Sequence, residues 1–334
     1  MGNIIVLDGT LRDGGYVNHF LFEIDNIKSI IRALEKARIN IIECGFLKLV
    51  DYSKDKSIYD SIDRLQSIIG EKDMFTQYVV MIRYGDYPIS HIQNQTETLI
   101  DGIRLSFHEH EISSAFDFAN QLSDKGYKVF LQPVSTMTYS THSIFKMIEG
   151  TNKLMPYAFY IVDTFGSLLI KDIPRYFSLF DKELNAEIKI GFHSHNNLRM
   201  SLQNACEICK LASYERDVII DTSVLGMGRG AGNLDSKSFL QYINANYNGQ
   251  YNIDVISVIE QKYVSPFKEK YKWGYDPAYE LTARLKCHPS YASYLLEKNM
   301  SIIDIERYIS LLPHYKRILF DRNYIERICL EYKM

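Results

Sequence analysis

Short apolar runs alternate with longer amphipathic stretches along most of this chain. The runs IIVLD (4–8), INIIECGF (39–46), FTQYVVM (75–81), DGIRLSF (101–107), KVFLQPV (128–134), AFYIVDT (158–164), EIKIGFHSH (187–195) and DVIIDTS (217–223) are rich in β-branched and aromatic residues. They are nearly continuous in apolar character rather than strictly alternating, which predicts strands covered on both faces. Between and after them the pattern predicts helices over 24–36, 57–70, 111–125, 141–149, 170–182, 197–212 and 234–246. Eight strands with helical crossovers in roughly 250 residues have the rhythm of a (β/α)8 TIM barrel. An open doubly wound sheet is the alternative, but no G-x-G-x-x-G follows the first strand. Beyond NANYNGQYN (244–252), a polar and turn-rich stretch, clear strands stop. Residues 253–334 read as several tyrosine-rich helices with turns at Pro266, Pro277, Pro289 and Pro313. The expected organisation is therefore a barrel over 1–245 followed by a small helical C-terminal region over 246–334.

Composition narrows the picture. The 334 residues are 46% hydrophobic and 24% charged, a globular balance. A formal net charge of −3 argues against bulk electrostatic binding to nucleic acid or an anionic membrane. The first strand begins within a few residues of the start, leaving no room for a signal peptide, and no apolar run reaches membrane-spanning length. Five irregularly spaced cysteines (Cys44, Cys206, Cys209, Cys287, Cys329) fit a reduced, cytoplasmic setting. Cys206 and Cys209 form a C-x-x-C, but inside a helical stretch and without a second pair, so they read as two helix-face cysteines.

Barrel chemistry collects where the strands end, and polar residues gather there. The first strand runs into DGTLRDGG, with Asp8, Arg12 and Asp13; the second carries Glu43, the fourth Arg104, and the fifth ends at Gln132. The sixth ends in Asp163 and Thr164, the seventh in GFHSHNN, and the eighth runs into LGMGRGAGN. Alternate residues of a strand share a face, so His193 and His195 both point toward the barrel mouth. Two imidazoles at that spacing suit a divalent metal. Closing the barrel brings the loop after strand 1 beside them, offering Asp13, and the strand 8 loop adds the amide of Asn233. An H-x-H alone is a weak signal, Asp13 beside Arg12 also fits an ordinary ion pair, and GMGRGAG fits a phosphate cradle or a tight connection.

Together TLRDGG (10–15), IIECGF (41–46), VDTFG (162–166), GFHSHNN (191–197) and GMGRGAGN (226–233) make the chain resemble the DRE-TIM metallolyases. Within them it is most similar to 4-hydroxy-2-oxovalerate aldolases. The resemblance implies Asp13, His193 and His195 as metal ligands, Asn233 on or near the metal, and Arg12 stabilising an enolate. WGYDPAYELTA (273–283) resembles the tail that gives those aldolases an active-site tyrosine, which implies Tyr275 or Tyr279. The aldolases carry a histidine base three residues after the ligand aspartate. Here that position is Tyr16, so the base is assigned to the same loop, with His19 favoured over Tyr16. This variant is similar to aldolase-like proteins associated with bacterial surface polysaccharide genes, implying a sugar-derived substrate.

The implied activity is class II aldol chemistry: cleavage of a 4-hydroxy-2-oxo acid to pyruvate and an aldehyde, or the reverse condensation, through an enolate stabilised by Mn²⁺ or Mg²⁺. Glu43, Arg104, Gln132 and Thr164 are the expected substrate contacts. No strand-end lysine is placed for a Schiff base; Lys48 follows strand 2 with no sign of desolvation. Two alternatives stand beside this: an acyl-CoA lyase or Claisen-type condensing enzyme of the same superfamily, and a non-catalytic, partner-binding barrel. The aldolases it resembles pass their aldehyde to a dehydrogenase subunit. Nothing in the sequence specifies that partner, and a homo-oligomer is left open.

Overall fold

The computed structural model describes residues 2–212 and 216–332. Eight parallel strands close into a barrel: β1 (Ile4–Asp8), β2 (Ile41–Leu47), β3 (Gln77–Arg83), β4 (Gly102–Phe107), β5 (Lys128–Pro133), β6 (Ala158–Asp163), β7 (Lys189–Ser194) and β8 (Val218–Thr222). Consecutive strands pair, and β1 closes the ring by pairing with β2 on one side and β8 on the other. All eight expected strands are present, so the barrel expectation holds.

Seven helices coat it: α1 (Ile24–Lys36), α2 (Ile62–Ile69), α3 (Ile112–Asp124), α4 (Thr141–Leu154), α5 (Ile173–Glu183), α6 (Ser201–Leu211) and α7 (Ser236–Asn246). Between β3 and β4 the chain makes only two short 3₁₀ turns, where the pattern predicted no helix. Two expected helices are reset at one end, 197–212 starting only at Ser201 and 141–149 running on to Leu154, and one differs in kind. Residues 57–70 were read as helical throughout, but Ile58–Tyr59 form a two-residue strand on β2. The helix begins after Ser61, whose hydroxyl accepts from the Arg64 N–H at 3.3 Å. An N-cap serine stops a helix from extending backwards.

The strand period orders the barrel interior. One apolar cluster comprises Leu7, Ile41, Val79, Phe130, Ala158, Tyr160, Val162 and Ile219. Two residues further along four of these strands, on the same face, the side chains turn polar: Glu43 after Ile41, Gln132 after Phe130, Thr164 after Val162, Asp221 after Ile219. The interior thus grades from a dry floor to a charged mouth at the C-terminal ends of the strands.

After α7 come α8 (Ile253–Ile259), a π-helical turn (Glu260–Val264) and α9 (Ser265–Lys270). Ile256, Ile259, Val264 and Trp273 belong to the apolar cluster between barrel and helices. Five more helices follow: α10 (Pro277–Arg284), α11 (Ser290–Glu297), α12 (Ile302–Ser310), α13 (His314–Arg317) and α14 (Arg322–Glu331). They hold a separate core around Tyr291, Leu295, Ile305 and Ile309. No described helix is long and apolar enough to cross a membrane.

Candidate metal centre

β7 delivers His193 and, just past its end, His195, with ring centroids 5.0 Å apart. The loop after β1 delivers Asp13, fully buried. One ligand atom from each of these three residues lies within 4.8 Å of the others, the one such His/Cys/Asp/Glu group among the described residues. Cys206 and Cys209 are outside any such group, and all five cysteines are free thiols.

Partners on the far side of each ring fix its orientation. His195 Nδ1 lies 3.1 Å from the Asp163 carbonyl. A carbonyl only accepts, so the proton sits on Nδ1 and Nε2 keeps its lone pair. That Nε2 is buried, without a hydrogen-bond partner, and 3.6 Å from Asp13 Oδ2. His193 Nδ1 lies 2.9 Å from Asp221 Oδ2, which likewise leaves its Nε2 bare. Burial pushes the His193 pKa down to about 4 despite Asp221. Burial opposes ionisation of Asp13, but Arg12 and the two imidazoles hold it well below the usual carboxylate range.

The strand 8 loop brings in Asn233. It folds back so that residue 233 bridges His195 in antiparallel fashion. Gly232 makes the turn at φ +87°, and a Cβ there would meet the Gly226 carbonyl oxygen at 2.1 Å. Asn233 Nδ2 donates to Asp13 Oδ2 at 2.9 Å and to the Met227 carbonyl at 3.2 Å, while its Oδ1 is buried and unpartnered. The N–H groups of Ala231, Gly232 and Asn233 bond to Asn197 Oδ1 and to carbonyls inside the loop. That end of the glycine run is therefore a tight connection. Two unpartnered buried acceptors, His195 Nε2 and Asn233 Oδ1, next to an ionised carboxylate form a donor set that fits a divalent cation.

Beneath the centre runs a chain of alternating charges. Arg12 donates through Nη1 to Asp13 (2.6 Å) and through Nε to Glu43 (2.8 Å). Glu43 also accepts from Arg104 Nη1 at 2.5 Å, and Arg104 reaches on to Asp221, which holds His193. Three carboxylates against two guanidiniums leave one formal negative charge, the sign that compensates a bound cation. Asp221, inward on an apolar strand, is a member that sequence reasoning missed; the second carboxylate of DVIIDTS, directly after an apolar run, was the available signal.

A cavity of about 200 Å³ opens above, lined by Arg12, Asp13, Tyr16, Gln132, Thr164, His193 and His195 among others. Glu43 and Arg104, expected as substrate contacts, do not line it. They lie wholly buried below, their charges committed to each other and to Arg12 and Asp221. Thr164 Oγ1 accepts from the Ser135 N–H, and Gln132, with its amide turned, accepts from Arg104. Of the two base candidates, Tyr16 is on the wall and His19 is not. His19 and Phe20 both take positive φ (57° and 63°), turning the chain so that the His19 ring meets Tyr271. Tyr275 and Tyr279 also stay outside: the first is exposed with its hydroxyl on Glu280, the second has its hydroxyl 3.2 Å from Ser293 Oγ. The wall includes residues the sequence did not single out, namely Arg83, His108, Arg229, His288 and Leu319. The last two come from the C-terminal helical segment. A larger hollow, near Asn3, Arg38 and Tyr251, lies at the opposite end of the barrel, away from Asp13, His193 and His195.

The model of the HMGL-like family matches residues 3–261. An oxaloacetate decarboxylase of Mycobacterium tuberculosis is 25% identical over 241 residues, 69% of this chain and 66% of that one. A 4-hydroxy-2-oxovalerate aldolase of Bacillus thuringiensis is 26% identical over 242 residues, 70% and 67% of the two chains. The chain thus spans about two thirds of the length of these curated relatives. Among solved structures, the N-terminal domain of an aldolase candidate from Bacteroides vulgatus superposes with TM-score 0.75 at 23% identity, over 91% of this chain and 99% of that one. An HMG-CoA lyase from Brucella melitensis does so at 0.62 and 14%, over 81% and 99%. At these identities the two structures speak for the fold.

Proposed function

The chain belongs to the HMGL-like family, and on that footing we propose that it is a divalent-metal-dependent carbon–carbon lyase. Its substrate is a 4-hydroxy-2-oxo acid, cleaved to pyruvate and an aldehyde or formed from them. One observation carries this reading: Asp13, His193 and His195 converge within 4.8 Å, with a buried bare imidazole nitrogen, directly beside the Arg12 guanidinium.

Asp13, His193 and His195, with the Asn233 amide oxygen adjoining, would hold Mn²⁺ or Mg²⁺. A divalent ion there supplies Lewis acidity at the substrate's C2 carbonyl. Breaking a bond to C3 of a 2-oxo acid leaves negative charge on the C2 oxygen, whether the lost fragment is an aldehyde or carbon dioxide. Arg12 meets that charge. Its Nε and Nη1 are engaged by Glu43 and Asp13, so the guanidinium is held fixed at the cavity wall and meets the charge without reorganising. For the aldol cleavage a group must also take the proton of the 4-hydroxyl. Tyr16 fills that role in this proposal, because it is the residue of the strand 1 loop that reaches the cavity wall beyond Arg12 and Asp13. The size of the cavity, about 200 Å³, suits a short acid better than an acyl thioester with its pantetheine arm.

The test is pyruvate release from a panel of 4-hydroxy-2-oxo acids with neutral and acidic tails. Release is expected with Mn²⁺ or Mg²⁺, is lost on chelation and in His195→Ala, and slows by about 10²–10⁴-fold in Tyr16→Phe. A metal-loaded protein that releases pyruvate from no member of the panel would overturn the reading.

A further inference from the structure

Every cation on the cavity wall has an anionic partner except one. Arg12 is matched by Asp13 and Glu43, and Arg83 by Glu111 at 2.7 Å. Arg229 is in no ion pair among the described residues. Its guanidinium lies 4.2 Å from the centre of the Tyr16 ring, and its Nε is buried without a hydrogen-bond partner. The Tyr16 ring thus braces one face of the guanidinium.

His288 lines the same cavity from the turn between α10 and α11. Its Nδ1 accepts from the Ser290 N–H at 3.2 Å, so the neutral ring carries its proton on Nε2 and that N–H is the polar group left for the cavity. The ring stays neutral because burial, then Arg229, then His195 and His108, lower its pKa to about 3. The placement is built in. A Cβ on Gly230, next to Arg229, would already touch Pro289 and Tyr279, so the loop and the turn bearing His288 are packed together. Leu319, from the same C-terminal segment, also lines the cavity. A charge held in such partly closed surroundings interacts more strongly than one in open water.

We propose that Arg229 and His288 form a second anion subsite, so that the substrate is a 2-oxo acid carrying a further carboxylate on the fragment beyond C3. This rests on the reading above and specifies its substrate class. A guanidinium fork plus one imidazole N–H matches the two oxygens of a carboxylate. Neither residue is needed for the metal or for the charge on the C2 oxygen. Their work is to select a dianionic acid over its neutral-tailed counterpart.

The test measures binding without turnover, by calorimetry on the full chain with saturating Mg²⁺. The ligands are two pairs matched in length, 2-oxopentanoate with 2-oxoglutarate and 2-oxohexanoate with 2-oxoadipate, none of which carries a 4-hydroxyl. In the wild type the dicarboxylate of at least one pair should bind about tenfold more tightly or better. In Arg229→Gln that preference should shrink to within about twofold while the monocarboxylate's affinity is kept; Arg229→Lys should recover part of it. Equal affinities within both pairs in the wild type would overturn the subsite and leave the aldolase reading standing. Equal weakening of both members in Arg229→Gln would overturn it too, placing Arg229 on the 1-carboxylate instead. If none of the four acids binds, the reading beneath the proposal falls with it.

Discussion

A histidine whose Nδ1 is held against a backbone carbonyl has no choice of tautomer, and His195 is in that position against Asp163. His193 is set by Asp221 in the same way. Such outer partners orient a ligand before any metal arrives. The convergence of Asp13, His193 and His195 was legible in the sequence, because H-x-H at one strand end and an aspartate two strands away around the barrel need only the period of two and barrel closure. Asp221, Arg229 and His288 were not. The first looks like any residue of an apolar strand, and the other two acquire meaning only when a glycine-rich loop and a remote turn pack together. His19 was misleading for a local reason: two consecutive left-handed residues turn it out of the mouth. Asp8, at the end of β1, gives a prediction independent of metal. Burial lifts its pKa from the ordinary 3.8 to about 6, against hydrogen bonds from Thr10 and Ser236. The folded chain therefore holds this proton where the unfolded chain has released it, and stability falls as pH rises from about 4 to about 6. At 1.36 kcal/mol per unit the effect is on the order of 3 kcal/mol. The difference in unfolding free energy between wild type and Asp8→Asn should shift toward the variant by that order between pH 4 and pH 7, read from denaturant titrations. A difference that does not change with pH would contradict this account of Asp8.

At the scale of elements, the strands and most helices followed from pattern because each strand is buried on both faces and each helix presents one apolar stripe. The exception, residues 57–61, shows a local cap overriding a helical run. The strand 8 loop brings Asn233 to the centre, and its glycines make room for that side chain. A Cβ on Gly228 would sit 2.5–2.7 Å from three side-chain atoms of Asn233. Gly228→Ala must therefore push Asn233 off Asp13. The expected result is a metal affinity about 10–100-fold weaker, with the far-UV spectrum and unfolding midpoint little changed, since no core residue moves. Metal titration by calorimetry checks it; unchanged affinity would mean that Asn233 does not support the centre.

Across the whole molecule the interior is layered: an apolar floor, a band of alternating charges from Asp13 to Asp221, and a cavity walled in part by the C-terminal helices. The barrel was readable from the eight-fold rhythm. The contribution of the C-terminal segment was not, since tyrosines were expected at the mouth and a histidine and a leucine line it instead. The layering converges on one claim, that this cavity generates and holds a pyruvate enolate beside a metal at Asp13, His193 and His195. Exchange of the pyruvate methyl protons for deuterium in heavy water, followed by NMR without any aldehyde, tests it most directly. The metal-loaded wild type is expected to catalyse the exchange, to lose it on chelation and in His193→Ala, and to slow about 10²–10³-fold in Arg12→Lys. Exchange that proceeds undiminished after chelation or in His193→Ala would contradict the account.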